Sequence, residues 1–157
     1  MNNNEFWSSE LPPGYYDEIL DSGLKKRRGF RANWHNITFS YISNYVNDNF
    51  NHLDYACGPG TLIGQFTNGN SIGVDLSSKQ INYANQTYKS KGNFKTLENY
   101  SFEKNVNHFD IVTILGLFEY LNDDDILESC FPYSHKGARK KPDLHLKLND
   151  NLSFTKL

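Results

Sequence analysis

Apolar and polar positions along this chain sort into short apolar runs and amphipathic stretches. Trp34, Ile37, Tyr41 and Tyr45 recur at three- and four-residue steps, with Ile42 and Val46 widening the stripe. That spacing predicts an amphipathic helix from Asn33 to about Asn47. Upstream, Pro12-Pro13-Gly14 leads into a shorter helical stretch, Tyr15 to Asp21, which Gly23 is placed to end in a left-handed cap. The basic run Lys25 to Arg28 then reads as exposed loop. A strand from His52 to Ala56 closes on Cys57-Gly58-Pro59-Gly60, and Thr61 to Phe66 forms a short helix before the turn Asn68-Gly69-Asn70. Ser71 to Asp75 is a second strand, and the capping box Ser77-Ser78-Lys79-Gln80 opens a helix carried by Ile81, Ala84 and Tyr88. Phe94 to Leu97 reads as a third strand, and Phe109 to Leu115 as a fourth, apolar enough to be buried on both faces. Asn122 caps a last helix with Asp123, Asp124 and Asp125 in its first turn, stopped by Pro132. Strands alternating with helices imply an α/β fold with a mostly parallel sheet.

Composition narrows the class. A chain of 157 residues is one domain long, and 38 % apolar residues with 15 % aromatics exclude disordered, collagen-like and coiled-coil chains. Cys57 and Cys130 lie far apart with no partner at metal-ligand spacing, which argues against a zinc site or a disulfide framework. Free thiols fit a reducing cytoplasm. No apolar run is long enough for a membrane span, and the polar opening Met1 to Glu5 lacks a secretory layout, so a soluble cytoplasmic protein is expected. The net charge of -2 hides an asymmetry, with an acidic body to residue 130 and a basic tail from 131 to 157. Lys136, Arg139, Lys140 and Lys141 have no aromatic platform among them. They read as a solvated loop, and the acidic body argues against nucleic-acid partners.

The chemistry concentrates in Leu53-Asp54-Tyr55-Ala56-Cys57-Gly58-Pro59-Gly60-Thr61, followed by Ile72-Gly73-Val74-Asp75-Leu76. Two glycines there let a turn pass close to a ligand at the carboxyl end of a strand, where α/β sheets bind ligands. This stretch resembles the cofactor-binding signature of class I S-adenosylmethionine-dependent methyltransferases, and the resemblance runs over about residues 14–129. It implies a Rossmann-like sheet with flanking helices, S-adenosylmethionine as cofactor and methyl transfer to a small-molecule acceptor. By the same resemblance the turn Ala56, Cys57, Gly58 and Gly60 holds the cofactor, and Asp75 accepts from the ribose hydroxyls. Leu76 lies against adenine, backbone near Leu97 serves the adenine amino group, and Leu115 offers its carbonyl to the methionine amino group. Tyr16 belongs to an aromatic N-terminal lid, and Tyr16, His35 and Glu119 are the candidates for a catalytic role. Two departures from the family pattern are Ala56, where glycine is usual, and Thr96, where many relatives carry an Asp.

A rival reading remains, because Gly58-Pro59-Gly60-Thr61-Leu62-Ile63-Gly64 also spells a dinucleotide-type glycine spacing, as in NAD(P)-binding domains. Asp54 discriminates, since an acid at the end of the first strand suits a cationic amino group and sits badly near a pyrophosphate. The resemblance stops after about Ser129: residues 130–137 lack the helical period and the turn that precede a fifth strand, so the usual C-terminal strands are missing. Asp143 to Leu148 and Leu152 to Phe154 alternate as a β-hairpin would, but a shift of reading frame near residue 130, which leaves that alternation accidental, is the preferred explanation of the tail. Three parts follow: an N-terminal segment and lid over 1–32, a cofactor-binding core over 33–130 and a divergent basic tail over 131–157. A sheet ordered 3-2-1-4 leaves Ile111 to Leu115 on an edge, which predicts self-association. A remnant that binds cofactor or a partner chain without turnover is the alternative function.

Overall fold

The computed structural model describes residues 6–26, 30–105 and 108–117. The expected helix after Asn122, the hairpin at 143–154, Cys130 and the basic tail lie outside the described residues. After a wide helical turn at Phe6–Glu10 come two helices, α1 (Tyr15–Lys26) and α2 (Phe30–Ser43), which pack against each other. Then follow β1 (Asn51–Tyr55), a single wide helical turn (Leu62–Phe66), β2 (Asn70–Asp75), α3 (Ser78–Thr87), β3 (Asn93–Thr96) and β4 (Ile111–Ile114). The strands form one parallel sheet in the order β3-β2-β1-β4. Among the described residues no helix is long and apolar enough to cross a membrane.

Register decides which side chains meet. Asp54 lies opposite Gly73 on β2 and Thr113 on β4, and Leu53 opposite Ile72 and Val112. Because strand side chains alternate, the two faces receive different sets. One face buries Leu53 and Val74 with Tyr100, packed by Ile72, Phe102, Phe109 and Val112. The other core joins Cys57, Ile63, Ile81, Ala84, Tyr88 and Phe94, with Tyr83 against it. Ser77 caps α3 as its sequence predicts, its hydroxyl accepting from the Gln80 N–H.

Three local expectations need correction. Gly23 does not end α1, which runs on through Lys25 to Lys26. A mid-helix glycine costs about 1 kcal/mol, and packing of α1 on α2 offsets that. In α2 the stripe Trp34, Ile37, Tyr41 faces outward, Trp34 being 48 % and Ile37 67 % exposed. The inward residues are His35, Phe39, Ile42 and, beyond the helix, buried Val46. Finally β4 is half-buried rather than covered on both faces, with only Thr113 fully buried. Among the described residues it pairs on one side alone, with β1.

Candidate functional site

The glycine turn leaves β1 in a sequence of left-handed residues: Ala56 (φ 61°), Gly58 (φ 54°) and Gly60 (φ 78°). The Cys57 N–H donates to the Val74 carbonyl at 3.1 Å, and the Gly60 N–H donates to the Cys57 carbonyl at 3.0 Å. At Gly60 a Cβ would also fall 2.5 Å from the Phe94 ring, so both backbone angle and space require glycine. Ala56 is the sole non-glycine residue with positive φ among those described, at the very position where the family pattern has glycine.

Two carboxylates flank this turn. Asp75, closing β2, accepts from the Gly58 N–H through Oδ2 and from the Ser77 N–H through Oδ1, each at 2.8 Å. It therefore latches the turn to the start of α3, and each oxygen keeps a lone pair for a further donor. Burial pushes its carboxyl up, while the Ser77 and Gly58 N–H groups pull it down. Asp54 on β1 is 3 % exposed and accepts from the Thr113 hydroxyl at 2.7 Å. Burial pushes it up to about 7, the Thr113 hydrogen bond opposes, and the nearby Asp75 charge adds to the rise. Among the described residues nothing donates to its Oδ2 and no side-chain cation pairs with it. The buried Cys57 thiol is pushed well up, by burial first and then by these two carboxylates, and stays neutral.

The N-terminal segment closes one side. Tyr16, in the first turn of α1, sits over the turn: a Cβ on Gly58 would lie 3.7 Å from its ring. From Tyr16 an aromatic row continues through His35 (5.3 Å between centroids), Phe39 (5.6 Å) and Phe66 (5.3 Å). Gln80 anchors the segment before α1, accepting from the Gly14 N–H at 3.1 Å and donating to the Pro12 carbonyl at 2.9 Å. Gly14 has φ 74°, and a Cβ there would be 2.5 Å from the Tyr83 ring. A second tie is buried: Tyr88 donates to Asp17 at 2.7 Å, and Gln65 donates to both.

The remaining candidates stand at neighbouring strand ends. Leu76 and Leu97 are exposed apolar side chains after β2 and β3, and Thr96 accepts from the Asn99 side-chain amide at 2.7 Å. Leu115 follows Ile114, the register partner of Tyr55, and leads into Gly116 (φ 68°), where a Cβ would meet open space. Asp54, Ala56, Cys57, Gly58, Gly60 and Asp75 thus gather round one turn with Tyr16 over it, while His35 packs one ring away. Glu119 lies outside the described residues. Three residues that sequence reasoning did not single out belong here: Thr61, Thr113 and His52. The Thr61 hydroxyl, on a residue 2 % exposed, has no hydrogen-bond partner. An orphaned hydroxyl, two acidic acceptors and bare apolar flanks fit a cofactor that carries a cationic group, hydroxyls and a flat heterocycle.

A family model described as a methyltransferase domain matches residues 53–133, about half the chain. Magnesium protoporphyrin IX methyltransferase from Synechocystis, solved with S-adenosylhomocysteine, is similar at 17 % identity and a TM-score of 0.51. That likeness covers 73 % of this chain and 63 % of that one. A TehB-like S-adenosylmethionine-dependent methyltransferase from Corynebacterium glutamicum is similar at 19 % identity and a TM-score of 0.42, over 59 % of this chain and 56 % of that one. This chain thus spans roughly half to two-thirds of the length of these two relatives. No curated protein matches it. The chain belongs to the class I S-adenosylmethionine-dependent methyltransferase family, with the Rossmann-like sheet of that class. The family's cofactor, S-adenosylmethionine, is the one the donor set fits, and this decides the glycine turn against the dinucleotide reading.

Proposed function

We propose that this chain holds S-adenosylmethionine at the carboxyl ends of β1 and β2 and passes its methyl group to a small-molecule acceptor. When bound, the donor supplies a methyl group on a sulfonium, already electrophilic, so the protein's task is alignment rather than acid or base chemistry. On this reading Asp54 accepts from the donor's amino group, Asp75 from its ribose hydroxyls, and the Leu115 carbonyl supplements Asp54. The turn from Ala56 to Gly60 lets backbone approach closely, Leu76 and Leu97 flank the adenine, and Tyr16 closes over the turn to exclude water. Residues 33–130 carry the donor core, and residues 1–32 form the lid.

The observation that carries the reading is the pair of carboxylates on either side of a left-handed turn, Asp75 half-buried and Asp54 buried without a cation among the described residues. A buried carboxylate facing no positive charge is costly, and a cationic ligand relieves that cost. Calorimetric titration of S-adenosylhomocysteine into Asp75→Ala should show affinity reduced by about tenfold or more, equivalent to about 1.4 kcal/mol. Unchanged affinity in a variant of native circular dichroism contradicts the assignment.

A further inference from the structure

We propose that Ser71, His52 and Thr113 are positioning residues for the donor site, forming a buried proton relay that ties the protonation state of Asp54 to the tautomer of His52. β1 carries His52 and Asp54 on one face, and register sets Ser71 beside His52 and Thr113 beside Asp54. His52 Nδ1 lies 3.0 Å from Ser71 Oγ, its Nε2 lies 2.8 Å from Thr113 Oγ1, and Thr113 Oγ1 lies 2.7 Å from Asp54 Oδ1. All four residues are buried, none of them more than 8 % exposed.

Proton counting fixes the two states. A hydroxyl has one proton to give. With Asp54 ionised, Thr113 donates to Oδ1, His52 donates to Thr113 through Nε2–H, and Ser71 donates to the bare Nδ1. With Asp54 protonated at Oδ1, it donates to Thr113, Thr113 donates to the bare Nε2, and Nδ1–H donates to Ser71. Between them one solvent proton is taken up by Ser71 Oγ as the Ser71 hydroxyl proton passes to Nδ1, the Nε2 proton passes to Thr113, and the Thr113 proton passes to Oδ1. Ser71 Oγ then accepts from Nδ1–H, and the imidazole is neutral at both ends. Burial alone pushes His52 down to about 4, below the range in which Asp54 titrates, so the ring switches tautomer without becoming a cation. The other titratable groups facing Asp54 are Asp75 from the end of β2 and the Cys57 thiol from the turn. The thiol stays neutral, and Asp75 acts on Asp54 through its charge.

The consequence for the donor rests on the reading of Asp54 as acceptor of its amino group: binding selects the ionised carboxylate and with it the Nε2–H tautomer. Nitrogen-15 imidazole spectra of the ligand-free chain, with His52 assigned against His52→Gln, decide the relay. From about pH 5.5 to about pH 8.5 the His52 ring should pass from Nδ1–H to Nε2–H, together with the carbon-13 titration of the Asp54 carboxyl. Thr113→Val should hold one tautomer throughout, and Thr113→Ser should restore the change. At about pH 6, S-adenosylhomocysteine should move the wild-type ring toward Nε2–H. A His52 ring that keeps one tautomer, or becomes a cation, while Asp54 titrates overturns the relay. A ring that follows pH in a chain that binds no S-adenosylhomocysteine upholds the relay and overturns the donor reading instead.

Discussion

Ala56 holds a left-handed backbone (φ 61°) that costs an alanine about 1 kcal/mol and a glycine almost nothing. Ala56→Gly should therefore raise the melting temperature by about 2–4 °C, followed by circular dichroism, and an unchanged or lower value would mean that the turn bears no strain there. The buried pair below the turn gives a pH signature. Asp54 is raised above its unfolded value, so the native state binds the extra proton and its contribution falls as pH rises from about 4 to about 7. His52 is lowered, so the unfolded state binds the extra proton and stability is lost as pH falls from about 6.5 to about 4. The two slopes oppose each other in the wild type. Asp54→Asn removes the Asp54 slope, so its stability relative to wild type should climb with pH in urea melts between about pH 4.5 and about pH 7. A parallel pair of curves would contradict the raised Asp54 carboxyl. The site carboxylates were legible in the sequence because they fall at apolar strand ends beside glycines. His52 and Thr113 were not, since a polar residue at alternate strand positions reads as solvent-facing until register sets it beside Ser71 or Asp54.

At the scale of elements, the N-terminal segment is fixed to the core by α3. Gln80, almost fully buried, bonds Gly14, Pro12 and Leu11 at once, and Lys79 donates to the Ser9 carbonyl at 2.7 Å. Gln80→Ala strands those backbone groups, at about 1–3 kcal/mol, and should speed proteolytic cleavage between residues 8 and 16. Cleavage no faster than in wild type would show that the aromatic row alone holds the segment. The tie at Gln80 was hidden in sequence because the same residue ends the capping box, which accounts for it locally. The outward face of α2 was hidden for a different reason. Its apolar residues occupy two adjacent stripes, so periodicity establishes the helix without choosing the side that packs on the core. Gly23 misled because helix propensity is a weak local preference, overridden where α1 meets α2.

For the molecule as a whole, alternating strands and helices imply a parallel sheet, and β3-β2-β1-β4 puts the glycine turn at the carboxyl ends of its two inner strands. The order reverses between β1 and β4, which puts a crevice at the carboxyl end of β1, and both carboxylates, the turn and Tyr16 gather beside it. The strands were legible because each short apolar run is bounded by turn residues, and their order followed from the resemblance to the methyltransferase family. The half-burial of β4 was not, because an apolar run looks alike in an inner strand and an outer one. Membership of the class I methyltransferases makes donor binding the property on which every functional statement depends. Calorimetric titration of the 157-residue chain with S-adenosylhomocysteine, on a sample whose circular dichroism shows it folded, tests that most directly. Saturable one-site binding with a dissociation constant on the order of micromolar is predicted, whereas a folded chain that takes up none would contradict the account.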